Sequence, residues 1–176
     1  MKIRLEQSGK SLDLLNDLLD AHSCAAENNN NVSSAIYGMS FAGSGNVING
    51  ICSALLSIGW LHAPLEDARW LWCNATEETI DEMFRCGQKV PGFGNSFYKD
   101  RIDPCFDKVY NAICSVPHLK ERMQYLTERV RAHKKLYPNA ALITEAVCEE
   151  VGIPFGKEGA LFALARIPAW TGLKEV

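Results

Sequence analysis

The chain has 176 residues with 18 basic and 21 acidic side chains, a net charge of -3, and is 47% hydrophobic and 22% charged. These are the proportions of a globular protein large enough to bury a core, as one domain or one domain with a small appended lobe. They leave no basic footprint for nucleic acid or an anionic membrane surface, so neither is expected as a partner.

The first periodic segment starts near Ser11, which is placed to cap a helix with Leu12, Leu15 and Leu19 on one face. The run ENNNNVSSA, Glu27 to Ala35, is the one low-complexity patch and reads either as a solvated loop or as a lining of a site. After the Gly43-Ser44-Gly45 breaker, Val47, Ile51, Leu55 and Ile58 repeat at helical spacing. Pro64, Glu66 and Asp67, with Arg69 following, read as a further helix start. Thr76 with Glu77 and Glu78 predicts another, carrying Ile80, Met83 and Phe84 and stopping at Gly87.

A long helix is expected from Pro117 to Leu136, with Leu119, Met123, Leu126 and Val130 inward and Lys120, Glu121, Arg129 and Arg131 in water. Two more follow, Ala140 to Val151 and Gly156 to Leu173, separated by the Gly152-Ile153-Pro154 break. No alternating strand pattern occurs, so the fold class is all-α. The expected organisation is a core of residues 1–74 and 138–176 and a small helical lobe of residues 75–137, with a ligand cleft between them.

Seven cysteines, Cys24, Cys52, Cys73, Cys86, Cys105, Cys114 and Cys148, are odd in number and lack CxxC spacing. With no secretory pattern in MKIRLEQSGK, they read as reduced thiols of a cytoplasmic protein, neither a disulfide framework nor a metal site. The apolar runs are too short and too often broken to cross a bilayer.

Of the four histidines, His118 and His133 fall on or near the charged face of the long helix, whereas His62 follows an apolar helix and precedes Ala63-Pro64 in a turn. That setting suits an imidazole held at a cleft edge. In KVPGFGNSFYKDRIDP, Gly92 and Gly94 allow backbone amides to approach a ligand, with Lys99 and Arg101 ready to meet phosphate charge. Arg166 sits inside the apolar run ALFALARIPAW and needs an anion, either a structural carboxylate or a bound acid.

Three segments, in order, resemble the citrate synthase superfamily of citrate synthases, methylcitrate synthases and citryl-CoA lyases. VPGFGNSFYKDRIDP resembles its Pro-Gly-Phe-Gly-His loop ending in Asp-Pro-Arg. LYPNAALITEAVCEEVGIP resembles its Pro-Asn-Val-Asp helix and Gly-Ile-Pro break, and LFALARIPAW its penultimate arginine helix. Upstream, the stretch from Asn31 to Ala68 is similar to the segment ending in Gly-Pro-x-His-Gly-Gly. The likeness covers about residues 14 to 173 and implies a citrate synthase-like helical fold, truncated at its N-terminal side, and a homodimer.

The resemblance implies a CoA thioester as substrate, with no permanently bound cofactor, and chemistry on a carboxylic acid. It carries the thioester donor onto His62, and the CoA-binding loop onto Val90, Pro91, Gly92, Phe93, Gly94 and Lys99. Arg166 becomes a carboxylate holder and Asn28 stands near a substrate histidine. Asn95 replaces the loop histidine, Ala141 the catalytic aspartate and Cys105 the arginine of Asp-Pro-Arg. Glu145, one turn after Ala141, is the candidate substitute base. Ordinary citrate synthesis is not expected. Three readings remain open: modified carbon-carbon bond chemistry, a non-catalytic CoA or carboxylate binder serving as a sensor or partner subunit, or the same fold binding a ligand unrelated to CoA.

Overall fold

A computed structural model describes residues 9–24, 32–58 and 63–171. His62 and Asn28 therefore lie outside the described residues.

The described residues form nine α-helices: α1 Gly9–Cys24, α2 Val32–Ser44, α3 Val47–Leu56, α4 Leu65–Asn74, α5 Glu77–Arg85, α6 Asp107–Cys114, α7 Pro117–His133, α8 Ala140–Val151 and α9 Glu158–Thr171. A short 3-10 turn, Pro104–Phe106, precedes α6. No strand occurs among the described residues, only an isolated bridge between Phe93 and Pro138. The all-α expectation stands.

Helix α8 is the axis of the fold. Every residue from Ala141 to Cys148 is buried, as required of a helix apolar around most of its circumference. Its start is set by Asn139, whose side chain accepts from the Ala141 amide at 3.0 Å. Gly152 ends it at a φ of 71°, with the Ile153 amide returning to Cys148 O at 2.8 Å. Around α8 one core cluster joins Leu14 and Leu18 of α1, Leu71 and Trp72 of α4, Ile80 of α5, Phe106, Val109 and Ile113, and Leu119, Met123, Leu126 and Val130 of α7.

Start and stop signals hold where capping decides them. Thr76 and Thr79 form a capping box for α5, and the Gln88 amide reaches back to Met83 O at 2.8 Å around Gly87. Pro117 opens α7, but that helix closes at His133 rather than Leu136. The physical reason lies in the segment beyond it. Gly94 donates to Tyr137 O at 2.8 Å, and Pro138 pairs with Phe93, so the chain is drawn out straight against the glycine loop.

Two expected faces are corrected. In α1 the buried face is Leu14, Leu18, Ala21 and His22, whereas Leu12 is 44% exposed. Ser11 is not the cap: it is buried inside the helix and donates to Glu150 of α8 at 3.0 Å. In α3, Gly50 and Ala54 face inward and Val47 and Leu55 outward. A Cβ on Gly50 would lie 2.7 Å from the Tyr37 ring, so the glycine is what lets α2 close on α3. Helices α2 and α6 have no counterpart in the sequence reading, since the glycines and serines of α2 read as breakers.

Candidate active site

The loop carrying Val90 to Gly94 is stitched to the N-terminus of α8 by one residue. Asn139 donates its backbone N–H to Gly92 O at 2.9 Å and its side-chain Nδ2 to Gly94 O at 2.9 Å, while its Oδ1 caps α8. Gly92 and Gly94 have φ of 77° and 81°. A Cβ at Gly92 would come within 2.7 Å of Leu142 Cβ, so the close approach to α8 needs the missing side chain. Val90 and Phe93 are buried supports of the loop, and Pro91 is half-buried. A surface cleft of about 250 Å³ beside them is lined by Asp67, Trp70, Met83, Gln88, Lys89 and Pro91. Lys99 is exposed further along.

Asn95 turns its side chain back on its own loop. Its Oδ1 accepts from the amides of Phe97 at 2.8 Å and Tyr98 at 3.4 Å, an Asx turn that leaves only the amide nitrogen for a ligand. Ala63, next to His62, is a non-glycine residue with a φ of 53°. Strain is thus stored beside the candidate donor.

Beneath the loop, α4, α8 and α9 bury a triad of ionisable side chains. Glu145 and Glu158 are both fully buried. Arg69 bridges them, with Nη1 3.8 Å from Glu145 Oε2, Nε 3.8 Å from Glu158 Oε1, and Nη1 donating to Glu145 O at 3.0 Å. None of the four carboxylate oxygens has a hydrogen-bond partner among the described residues. Burial first, then the nearby Glu158, pushes the Glu145 carboxyl up to about 9 against the pull of Arg69. Glu145 is therefore not an exposed helical glutamate, and near neutral pH it carries its proton as an acid. The Ala141 methyl packs with Leu65, Ala68 and Phe162, an apolar filling.

Around Arg166 a second polar group is assembled. Glu158, Phe162 and Arg166 follow one another at four-residue spacing on one face of α9. The Arg166 guanidinium, 3% exposed, lies over the Phe162 ring with Cζ 5.3 Å from its centroid. Its Nε and Nη1 have no hydrogen-bond partner among the described residues. Burial lowers its pKa to about 10, with Asp103 and Cys105 nearby favouring the charge. Cys105 is half-buried, and burial followed by Asp103 raises its thiol to about 11, so it stays protonated and is not a nucleophile near neutral pH.

The sequence reading did not single out His22. It is fully buried on α1, edge-on to Phe106 at 4.9 Å and to Phe162 at 4.7 Å, with Nε2 3.0 Å from Thr144 Oγ1. Nothing in the local sequence marks it, because only the packing of α1 on α8 and α9 brings it to Arg166. The other two described histidines pair with carboxylates: His118 lies 3.3 Å from Glu150, and His133 pairs with Asp81 at 2.7 Å while stacking on Phe84.

Residues 10–172 match the family described as citrate synthase, C-terminal domain. Among solved structures, the citryl-CoA lyase of Hydrogenobacter thermophilus aligns with a TM-score of 0.72 at 21% identity, over 94% of this chain and 68% of that one. The citrate synthase of Thermoplasma acidophilum, in a ternary complex with carboxymethyl coenzyme A and oxaloacetate, aligns with a TM-score of 0.71 at 20% identity, over 95% and 48%. The ATP citrate lyase of Methanosaeta concilii, in complex with (3S)-citryl-CoA, aligns at 0.68 and 20%, over 95% and 31%. This chain thus spans less than half of the latter two. A search of curated proteins finds no match.

Proposed function

The chain belongs to the citrate synthase family, and from that premise we propose that it acts on an acyl-CoA or related carboxylate, making or breaking a carbon-carbon bond next to a carbonyl. One observation carries this reading: a guanidinium 97% removed from solvent, Arg166, presents Nε and Nη1 with no partner among the described residues. A buried cation without a hydrogen-bonded anion is costly, and a bound carboxylate satisfies it.

In this reading Arg166 holds the acid, with Cys105 beside it and Asn28 completing the substrate wall. The Val90 to Gly94 loop and Lys99 take the CoA thioester, whose bulk uses the cleft at Lys89 and Pro91. His62 and the free amide nitrogen of Asn95 polarise the carbonyl oxygens where an enolate develops. Glu145 is the acid-base group, serving as proton donor in the cleavage direction because its resting form is protonated. Ala141 supplies no base, so the reaction differs from ordinary citrate synthesis. The chain works in the cytoplasm as a homodimer joined through α2 and α3, which expose Met39, Phe41, Ile48 and Leu56. Residues 75–137 form the small lobe, and the ligand lies in the cleft between it and the rest of the chain.

Acetyl-CoA incubated in deuterated water, with and without oxaloacetate, tests this through methyl deuteration followed by mass spectrometry. Exchange that disappears in His62→Ala supports the reading. Absence of exchange in the wild type rejects acetyl-CoA enolisation and favours the sensor or partner-subunit role.

A further inference from the structure

Three features of the region around Arg166 bear on which acid it takes. First, the Thr144 hydroxyl lies 2.7 Å from Ala140 O, to which it donates, and 3.0 Å from His22 Nε2. A hydroxyl has one proton, so with that proton on Ala140 O its lone pair receives the Nε2–H of His22. Second, the imidazole is neutral, since burial reinforced by the charge of Arg166 holds it well below its ordinary range. A neutral ring with its proton on Nε2 has a bare lone pair on Nδ1. Third, that Nδ1 is buried and has no partner among the described residues, as is true of Arg166 Nε and Nη1.

Both side chains pack on the Phe162 ring, His22 at 4.7 Å and Arg166 Cζ at 5.3 Å from its centroid. An orphaned acceptor and an orphaned pair of donors thus share one aromatic neighbour. Buried polar groups are rarely left in this state, and what satisfies both is a molecule with an anionic acceptor at one end and a donor hydrogen close by.

We propose that His22 is a specificity-determining residue of the Arg166 site: its Nδ1 accepts a hydrogen bond from a hydroxyl adjacent to the carboxylate held by Arg166, so that 2-hydroxy acids bind in preference to 2-keto acids. A keto oxygen set against the same lone pair places two acceptors face to face and leaves both unsatisfied. A site built to pair with a hydroxyl discriminates strongly against the analogue lacking it. The inference rests on the carboxylate role of Arg166 given above.

Titration calorimetry with malate and oxaloacetate, which differ only at that position, tests it. Wild type is expected to bind malate roughly tenfold or more tightly than oxaloacetate. His22→Gln keeps an amide nitrogen for Thr144 and deletes Nδ1, and is expected to bring the two affinities together. Arg166→Gln loses both acids, with thermal melting of each variant confirming the fold. Nitrogen NMR of His22 reads the tautomer without a ligand, and an unprotonated Nδ1 is expected. Equal affinities in wild type, a preference unchanged in His22→Gln, or a protonated Nδ1 overturns the inference alone. Failure of wild type to bind either acid overturns it together with the carboxylate reading.

Discussion

Single backbone positions carry much of the shape of the site. Ala63 holds a left-handed φ of 53° beside His62, a conformation that costs a residue with a Cβ about 1 kcal/mol or more. Ala63→Gly is therefore expected to stabilise the fold by roughly 0.5–1 kcal/mol net of glycine's entropy, read as a higher urea midpoint. At Gly92 the sign reverses. Its φ of 77° and the 2.7 Å approach to Leu142 Cβ leave no room for a methyl. Gly92→Ala is expected to cost about 3 kcal/mol from strain and overpacking together, and to detach the loop from Asn139. Loss of amide-exchange protection at Gly94, whose N–H bonds Tyr137 O, would report that detachment; full protection would rule it out.

Among the elements, α4 shows how a helix end is satisfied from elsewhere in the chain. Its final carbonyls are capped by Arg122 of α7, which donates to Trp72 O at 2.5 Å, Leu71 O at 3.0 Å and Ala75 O at 3.1 Å. Because α4 also supplies Arg69 to the buried triad, this clamp ties a surface helix to the site. Arg122→Ala is expected to lower stability by about 2 kcal/mol, and Arg122→Lys restores only part, since an ammonium cannot span three carbonyls as a planar fork does. Equilibrium unfolding with an unchanged slope checks this. Helices α2 and α3 pose the opposite case, with Leu56 87% and Ile48 59% exposed. If they form the proposed dimer face, Ile48→Glu with Leu56→Glu yields monomers in sedimentation; an unaltered mass would place the contact elsewhere.

For the molecule as a whole, two buried titratable groups set the pH range of stability. Glu145 is raised to about 9 in the folded chain from an ordinary 4.5. Between those values the folded state binds the extra proton, so stability falls as pH rises, by at most about 1.4 kcal/mol per pH unit. His22 is shifted the other way, well below 6.5. Below its ordinary value the unfolded chain takes the extra proton, so this group erodes stability as pH drops. Glu145→Gln is expected to remove this fall between pH 4.5 and about 9 and to leave the loss of stability below pH 4.5 unchanged. A melting temperature that falls equally steeply from pH 6 to 9 in the variant would contradict the assignment.

Sequence by itself determined the helical class, the helix starts at Thr76, Pro117 and Ala140 and the Gly152 stop, because these are local choices of backbone and side chain. It also marked the glycine loop and Arg166, since a charge within an apolar helix is visible as pattern. Which face of α1 or α3 turns inward was decided only by tertiary packing, because several apolar stripes compete on each helix and partner shape selects among them. The same holds for the site. His22 on α1, Thr144 on α8 and Arg166 on α9 are far apart in the chain and carry no shared spacing. Their meeting against Phe162, like the meeting of Arg69 with Glu145 and Glu158, arises from the burial that brings three helices together and leaves polar atoms facing one another.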